Sequence, residues 1–177
     1  MRSEQGFTLM EIMIVLAIVS TIGIMAASNL HGWNRHNRFV GFQRAVFTEM
    51  QEARTRAVSM RRQYRLAFNL DVETVLLETG DAGSGSTVWA AARAAVSATG
   101  GCAFDDIAWL RAGAGATASS GTFYMVFSPA GDVYRWSGGT FTPLDTANIH
   151  LSIDSGETAT VRLFCWTGKA RLSVGTI

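Results

Sequence analysis

From Ile12 to Leu30 the chain runs for 19 residues without a charged side chain, and one carboxylate, Glu11, stands at the head of that run. A helix needs about 20 predominantly apolar residues to cross ~30 Å of hydrocarbon, so this stretch is long enough to lie in a bilayer. A carboxylate there costs roughly 2.5–3.5 kcal/mol even on lenient insertion scales and is seldom present without a partner. Upstream stand Met1-Arg2-Ser3-Glu4-Gln5-Gly6 and then Phe7-Thr8-Leu9-Met10-Glu11. An ordinary secretory signal could be cut near Ala26-Ala27-Ser28, but its apolar core would not carry an acid at its start or continue into a helical pattern. A plain membrane anchor would need neither Glu11 nor the Gly6-Phe7 junction.

Beyond the apolar run the pattern narrows to a stripe. Phe39, Phe42, Val46, Met50, Ala53, Ala57 and Met60 recur at spacings of three and four, which keeps them on one helical face. No proline precedes Pro129, so the spacing predicts one helix from about Thr8 to Arg61, on the order of 80 Å at 1.5 Å per residue. Gly23, Gly32 and Gly41 are the positions where it could bend. The formal net charge of +1 conceals a segregation. Eight arginines between His31 and Arg65 stand against Glu49 and Glu52, a net of +6, whereas Leu66 to Ile177 holds six basic and ten acidic residues, a net of −4. Arginines just past a membrane segment favour the cytoplasmic side, against the orientation that the N-terminal residues suggest.

After Gln63 the pattern becomes one of strands. Tyr64 to Leu70 and Glu73 to Thr79 read as a hairpin turning at Asp71-Val72. Gly80 to Gly121 is rich in Gly, Ala, Ser and Thr and reads as a long irregular surface region, with Val88 to Val96 open between strand and short helix. Thr122 to Phe127 is a strand, Ser128 to Asp132 a turn, and Val133 to Trp136 the return. Further strands are expected at Ile149–Ile153, Thr158–Trp166 and Ala170–Val174, with turns at Gly156 and Gly168. The fold class is therefore α+β, a long N-terminal helix packed on an antiparallel sheet or sandwich.

No catalytic constellation emerges. Gly80-Asp81-Ala82-Gly83-Ser84-Gly85-Ser86 lacks the Gly-Lys-Ser/Thr of a phosphate cradle, and Asp105-Asp106 reads as a turn or solvated loop rather than a carboxylate pair. His31, His36 and His150 are scattered without metal-ligand spacing, so neither metal nor cofactor is expected. Cys102 and Cys165, the only cysteines, are expected to form one disulfide closing 62 intervening residues, with two buried free thiols as the alternative.

Gly6 followed by Phe7-Thr8-Leu9-Met10-Glu11-Ile12 resembles the processing site of type IV prepilins and type II secretion pseudopilins. The resemblance implies that a prepilin peptidase removes residues 1–6, cutting between Gly6 and Phe7, and methylates Phe7. It implies that Thr8 and Glu11 serve assembly, Glu11 meeting the terminal amine of a neighbouring subunit. The implied organisation is a leader at 1–6, a transmembrane and assembly half-helix at 7–30, an amphipathic half-helix at 31–62 and a periplasmic β-rich domain at 63–177. Partners would be the processing enzyme, other pilins or pseudopilins, and the inner membrane of a Gram-negative cell, which the subunit leaves for the filament. The order of helix, hairpin, variable region, Phe127-Ser128-Pro129-Ala130-Gly131 and closing strands is similar to the GspH/FimT minor subunits. That likeness implies a structural subunit, not an enzyme: a GspH-like pseudopilin of type II secretion or, alternatively, a FimT-like minor pilin. Gly168-Lys169-Ala170-Arg171 resembles the basic element of DNA-binding members, which would make Lys169 and Arg171 a pair of phosphate contacts.

Overall fold

A computed structural model describes residues 8–175, except for the side chains of residues 25–31. The chain divides into two compact units, residues 1–37 and 38–177. One helix, α1 (Leu9–Met60), contributes to both. In the first unit every apolar side chain described between Leu9 and Ile24 is exposed. Two of its hydroxyls are satisfied within the helix: Ser20 Oγ donates to the Leu16 carbonyl at 2.7 Å and Thr21 Oγ1 to that of Ala17 at 2.8 Å.

The second unit carries twelve strands: β1 (Tyr64–Asn69), β2 (Thr74–Gly80), β3 (Trp89–Ala91), β4 (Val96–Ser97), β5 (Cys102–Arg111), β6 (Ala114–Ala118), β7 (Thr122–Phe127), β8 (Val133–Ser137), β9 (Thr140–Pro143), β10 (Thr146–Ile153), β11 (Thr158–Phe164) and β12 (Lys169–Val174). They form two antiparallel sheets. One runs β3-β2-β1-β7-β8-β9, with β4 also on β2; the other runs β12-β11-β10-β5-β6. The stripe on α1 enters their common core, with Phe39, Phe42, Val46, Met50, Ala53 and Ala57 all buried. Phe104 of β5 joins the layers, its ring edge-on to Phe42 of α1 at 5.2 Å and to Phe68 of β1 at 5.8 Å. Burying side chains of this size contributes about 1.5–3 kcal/mol each. Met60, expected to close the stripe, is exposed. It is the last residue of α1, and Arg61 turns the chain away with a φ of 53°.

The hairpin β1–β2 forms as expected, Tyr64 pairing with Thr79 and Asn69 with Thr74. Its turn is held by Asn69 Oδ1, which accepts from the amides of Asp71 and Val72 at 3.1 and 3.2 Å. The expectation of an irregular region over 80–121 is overturned, because β5 and β6 lie there and β5 is an interior strand of the second sheet. A bulge hid it. Asp106 pairs with His150 but Phe104 with Leu151, so Asp105 is an extra residue, and Phe104 and Ile107 both point inward although three apart. Period-two alternation is broken at that point, and the acidic pair belongs to a strand, not to a turn or loop. A further strand, β9, follows β8 through Gly138-Gly139, both with positive φ, the backbone that a two-residue hairpin turn requires.

The disulfide expectation is also overturned: Cys102 and Cys165 are both free and buried. Cys102 pairs with Ile153 at one end of β10, while Cys165 follows Phe164, which pairs with Thr146 at the other end. Seven residue steps at ~3.4 Å separate those ends by about 24 Å, and thiols cannot bridge beyond roughly 7 Å between Cα atoms. Burial, with Asp145 adding to it, pushes the Cys165 thiol up to about 12. Burial likewise raises Cys102, reinforced by Asp154 and opposed by Arg38.

Candidate functional site

Two places concentrate chemistry-bearing residues. The first is the start of α1. The Thr8 carbonyl accepts from the amides of Glu11 and Ile12 at 3.1 and 3.3 Å, and Thr8 Oγ1 accepts from the Glu11 amide at 3.3 Å. Thr8 is thus the N-cap and Glu11 the third helical residue, the spacing of a capping box. A carboxylate at that position meets the positive end of the helix dipole, worth 0.3–1 kcal/mol at a typical exposed site. Glu11 is exposed and, among the described residues, has no ion-pair partner. The Thr-x-x-Glu signal was present in the sequence but was absorbed into the longer processing motif. Gly6 and Phe7 lie outside the described residues.

The second place is the outer face of the sheet β12-β11-β10-β5-β6. Lys169 and Arg171 alternate outward on β12 as expected, with Ala170 and Leu172 turned toward the core. The strand register supplies a third cation. Arg162 of β11 stands directly opposite Arg171, and Phe164 opposite Lys169. Arg162 Nε donates to Asn148 Oδ1 of β10 at 2.9 Å, which aligns its guanidinium across the sheet. A groove of about 370 Å³ opens here, lined by His150, Thr160, Arg162, Phe164, Arg171 and Ser173. Like charges directly opposite each other weaken a sheet, and an anion bound between Arg162 and Arg171 would reverse that penalty. Lys169 does not line this groove. Sequence reasoning missed Arg162, although its place in the polar row Thr158, Thr160, Arg162 of a strand with alternating burial marks it as outward-facing.

The neighbouring acids are engaged. His150 Nδ1 contacts Asp106 Oδ1, and Ser152 Oγ donates to Asp105 Oδ1. The glycine-rich loop after β2 is likewise occupied with itself. Asp81 Oδ1 accepts from the amides of Thr87 and Val88 at 3.1 and 3.4 Å, and Ser86 donates its hydroxyl to the Ala82 carbonyl at 2.9 Å. Desolvation pushes the Asp81 carboxyl up, but these hydrogen bonds outweigh it and hold the group below the usual carboxylate range. Gln63 Oε1 takes the Ser86 amide at 2.8 Å, so that donor is spent too. Among the described residues no group of three His, Cys, Asp or Glu converges as a metal site.

The chain matches the family described as the prokaryotic N-terminal methylation motif over residues 1–27. That motif is the signal of type IV pilin-like proteins processed as prepilins. No curated protein and no solved structure matches the chain.

Proposed function

We propose that this chain is a minor pseudopilin of a type II secretion filament, GspH-like, that enters the filament through the first half of α1. One observation carries the reading: the helix whose second half is built into the core leaves every described apolar side chain from Leu9 to Ile24 exposed. Such a surface needs lipid before assembly and the helices of neighbouring subunits after it. Among the described residues no helix is long and apolar enough to cross a membrane. The proposed span at 7–30 includes the side chains of 25–30, which lie outside that description. Removal of residues 1–6 would place a charged amine on Phe7, one helical turn before Glu11. In a staggered neighbour that amine pairs with Glu11, and two charges costly in hydrocarbon select one register.

Intact and peptide mass spectrometry of the chain from cells tests the processing. The expected N-terminus is methylated Phe7; a retained Met1, or a terminus beyond Ala27, would overturn it. Glu11→Ala is expected to insert normally but to co-purify poorly with filament subunits.

A second reading, a FimT-like minor pilin that holds DNA, is favoured by Arg162 standing beside Arg171. Three cations make a salt-sensitive phosphate contact, whose affinity falls steeply between low and physiological salt. Gel shifts of the full chain in neutral detergent separate the readings. Arg162→Ala/Arg171→Ala should lose more binding than Lys169→Ala if DNA is the ligand, and no shift at low salt removes the second reading.

A further inference from the structure

A second cavity, of about 410 Å³, lies at the end of the other sheet, where α1 gives way to β1. It is lined by Gln63, residues 83–85, Ser128, Pro129, Ala130, Asp132, Tyr134 and Phe141. Its one charged group is the exposed carboxylate of Asp132, for which the described residues provide no ion-pair partner. Ser128 is 9% exposed, and its hydroxyl has no hydrogen-bond partner. Tyr134 of β8 and Phe141 of β9 are the aromatic residues of its lining.

The same chain shows what this combination holds. On β1, Arg65 lies with its guanidinium carbon 4.4 Å from the ring centres of Trp89 and Tyr124 and 4.8 Å from that of Trp136. Its Nε meets Glu78 Oε2 at 2.5 Å. A planar cation is thus sandwiched by rings and fixed by a carboxylate. The cavity at Asp132 is lined by the same residue types, a carboxylate and two aromatics, and among the described residues no cationic side chain lines it. An anion would be repelled by Asp132, and a hydrocarbon would leave its carboxylate unpaired. A guanidinium suits this lining: its donors can take the exposed carboxylate of Asp132, and its planar face can stack on an aromatic ring.

We infer that this cavity receives an arginine side chain from a second copy of the chain, a contact that rests on the filament reading and adds a head-to-helix junction to it. Charge complementarity names the source. Arg35, Arg44, Arg61 and Arg62 are exposed with no carboxylate partner among the described residues, on the segment of net charge +6. The sheets after it carry a net −4. Copies side by side in the membrane bring these opposite charges within reach of one another.

The test has two arms, both on the full chain in neutral detergent or in membranes. Agmatine, a free guanidinium probe, is titrated by isothermal calorimetry. Saturable binding is expected, weakened at least tenfold in Asp132→Asn and in Phe141→Ala but unchanged in Arg162→Ala/Arg171→Ala. No saturable binding, or equal binding to Asp132→Asn, overturns the site. In the second arm, differently tagged copies are co-expressed and pulled down. Asp132→Arg should reduce recovery at least fivefold, and a partner carrying Arg35, Arg44, Arg61 and Arg62 changed to Glu should restore it. Undiminished recovery of Asp132→Arg, where Glu11→Ala still loses assembly, overturns this inference alone. If neither variant changes recovery, the filament reading falls with it.

Discussion

Arg93, in the segment between β3 and β4, fastens that segment to α1. Its guanidinium meets Glu49 through Nη2 and Glu52 Oε2 through Nη1 at 2.8 Å, and Glu52 is shared with Arg56 at 2.6 Å. Glu49 is 2% exposed and the second oxygen of its carboxylate has no partner, so among the described residues Arg93 alone compensates a charge held away from water. Removing one member of a fully buried pair costs about 3–5 kcal/mol, whereas exposed pairs are worth ~0.2–1 kcal/mol. The Arg93 side chain is 36% exposed, and solvent screening on that side brings the expected cost of Arg93→Ala to about 2–3 kcal/mol. For a unit of this size each kcal/mol moves the midpoint by roughly 3–5 °C, so Tm should fall by about 6–15 °C. Near-UV circular dichroism of the full chain in detergent reads this directly. The cause is isolated by a double-mutant cycle with Glu49→Gln, which removes the buried charge: in that background the penalty of Arg93→Ala should shrink by more than half. An Arg93→Ala variant within 0.5 kcal/mol (about) of the parent, or an equal penalty in both backgrounds, would refute the reasoning.

Phe104→Ala should destabilise the second unit by about 3–5 kcal/mol, because the ring it deletes touches both α1 and the opposite sheet; denaturant unfolding with an unchanged m-value measures it. Stability should also fall in alkali through Cys165. Its folded value, about 12, stands above the ordinary value of 9.0, so its contribution is full below pH 9 and is lost as pH rises toward 12, a window that closes in Cys165→Ala. Both thiols should remain free under oxidising conditions and react with maleimide only after unfolding. A mass loss of two protons in the native protein would contradict the separation across β10.

Much of the architecture was legible from local pattern. The stripe from Phe39 to Ala57 fixed a buried helical face because spacings of three and four admit no other element, and the hairpin after Gln63 followed from alternation on either side of a turn. Met60 was misread because a stripe does not reveal where the backbone leaves the helix. At the site, Lys169 and Arg171 were readable as one face of a strand, since alternation alone places them. Arg162 was not, because its nearness to Arg171 depends on which residues two strands place opposite each other.

The sequence by itself determined the N-terminal methylation motif and the apolar run behind it, since both are contiguous and need no partner segment to be recognised. It determined the fold class for the same reason. Only the tertiary structure decided the fate of the cysteines, the bulge that turns Phe104 and Ile107 inward together, and the acid-and-ring cavity at Asp132. Each of these depends on register between strands far apart in the chain, and register is set by packing a whole core at once.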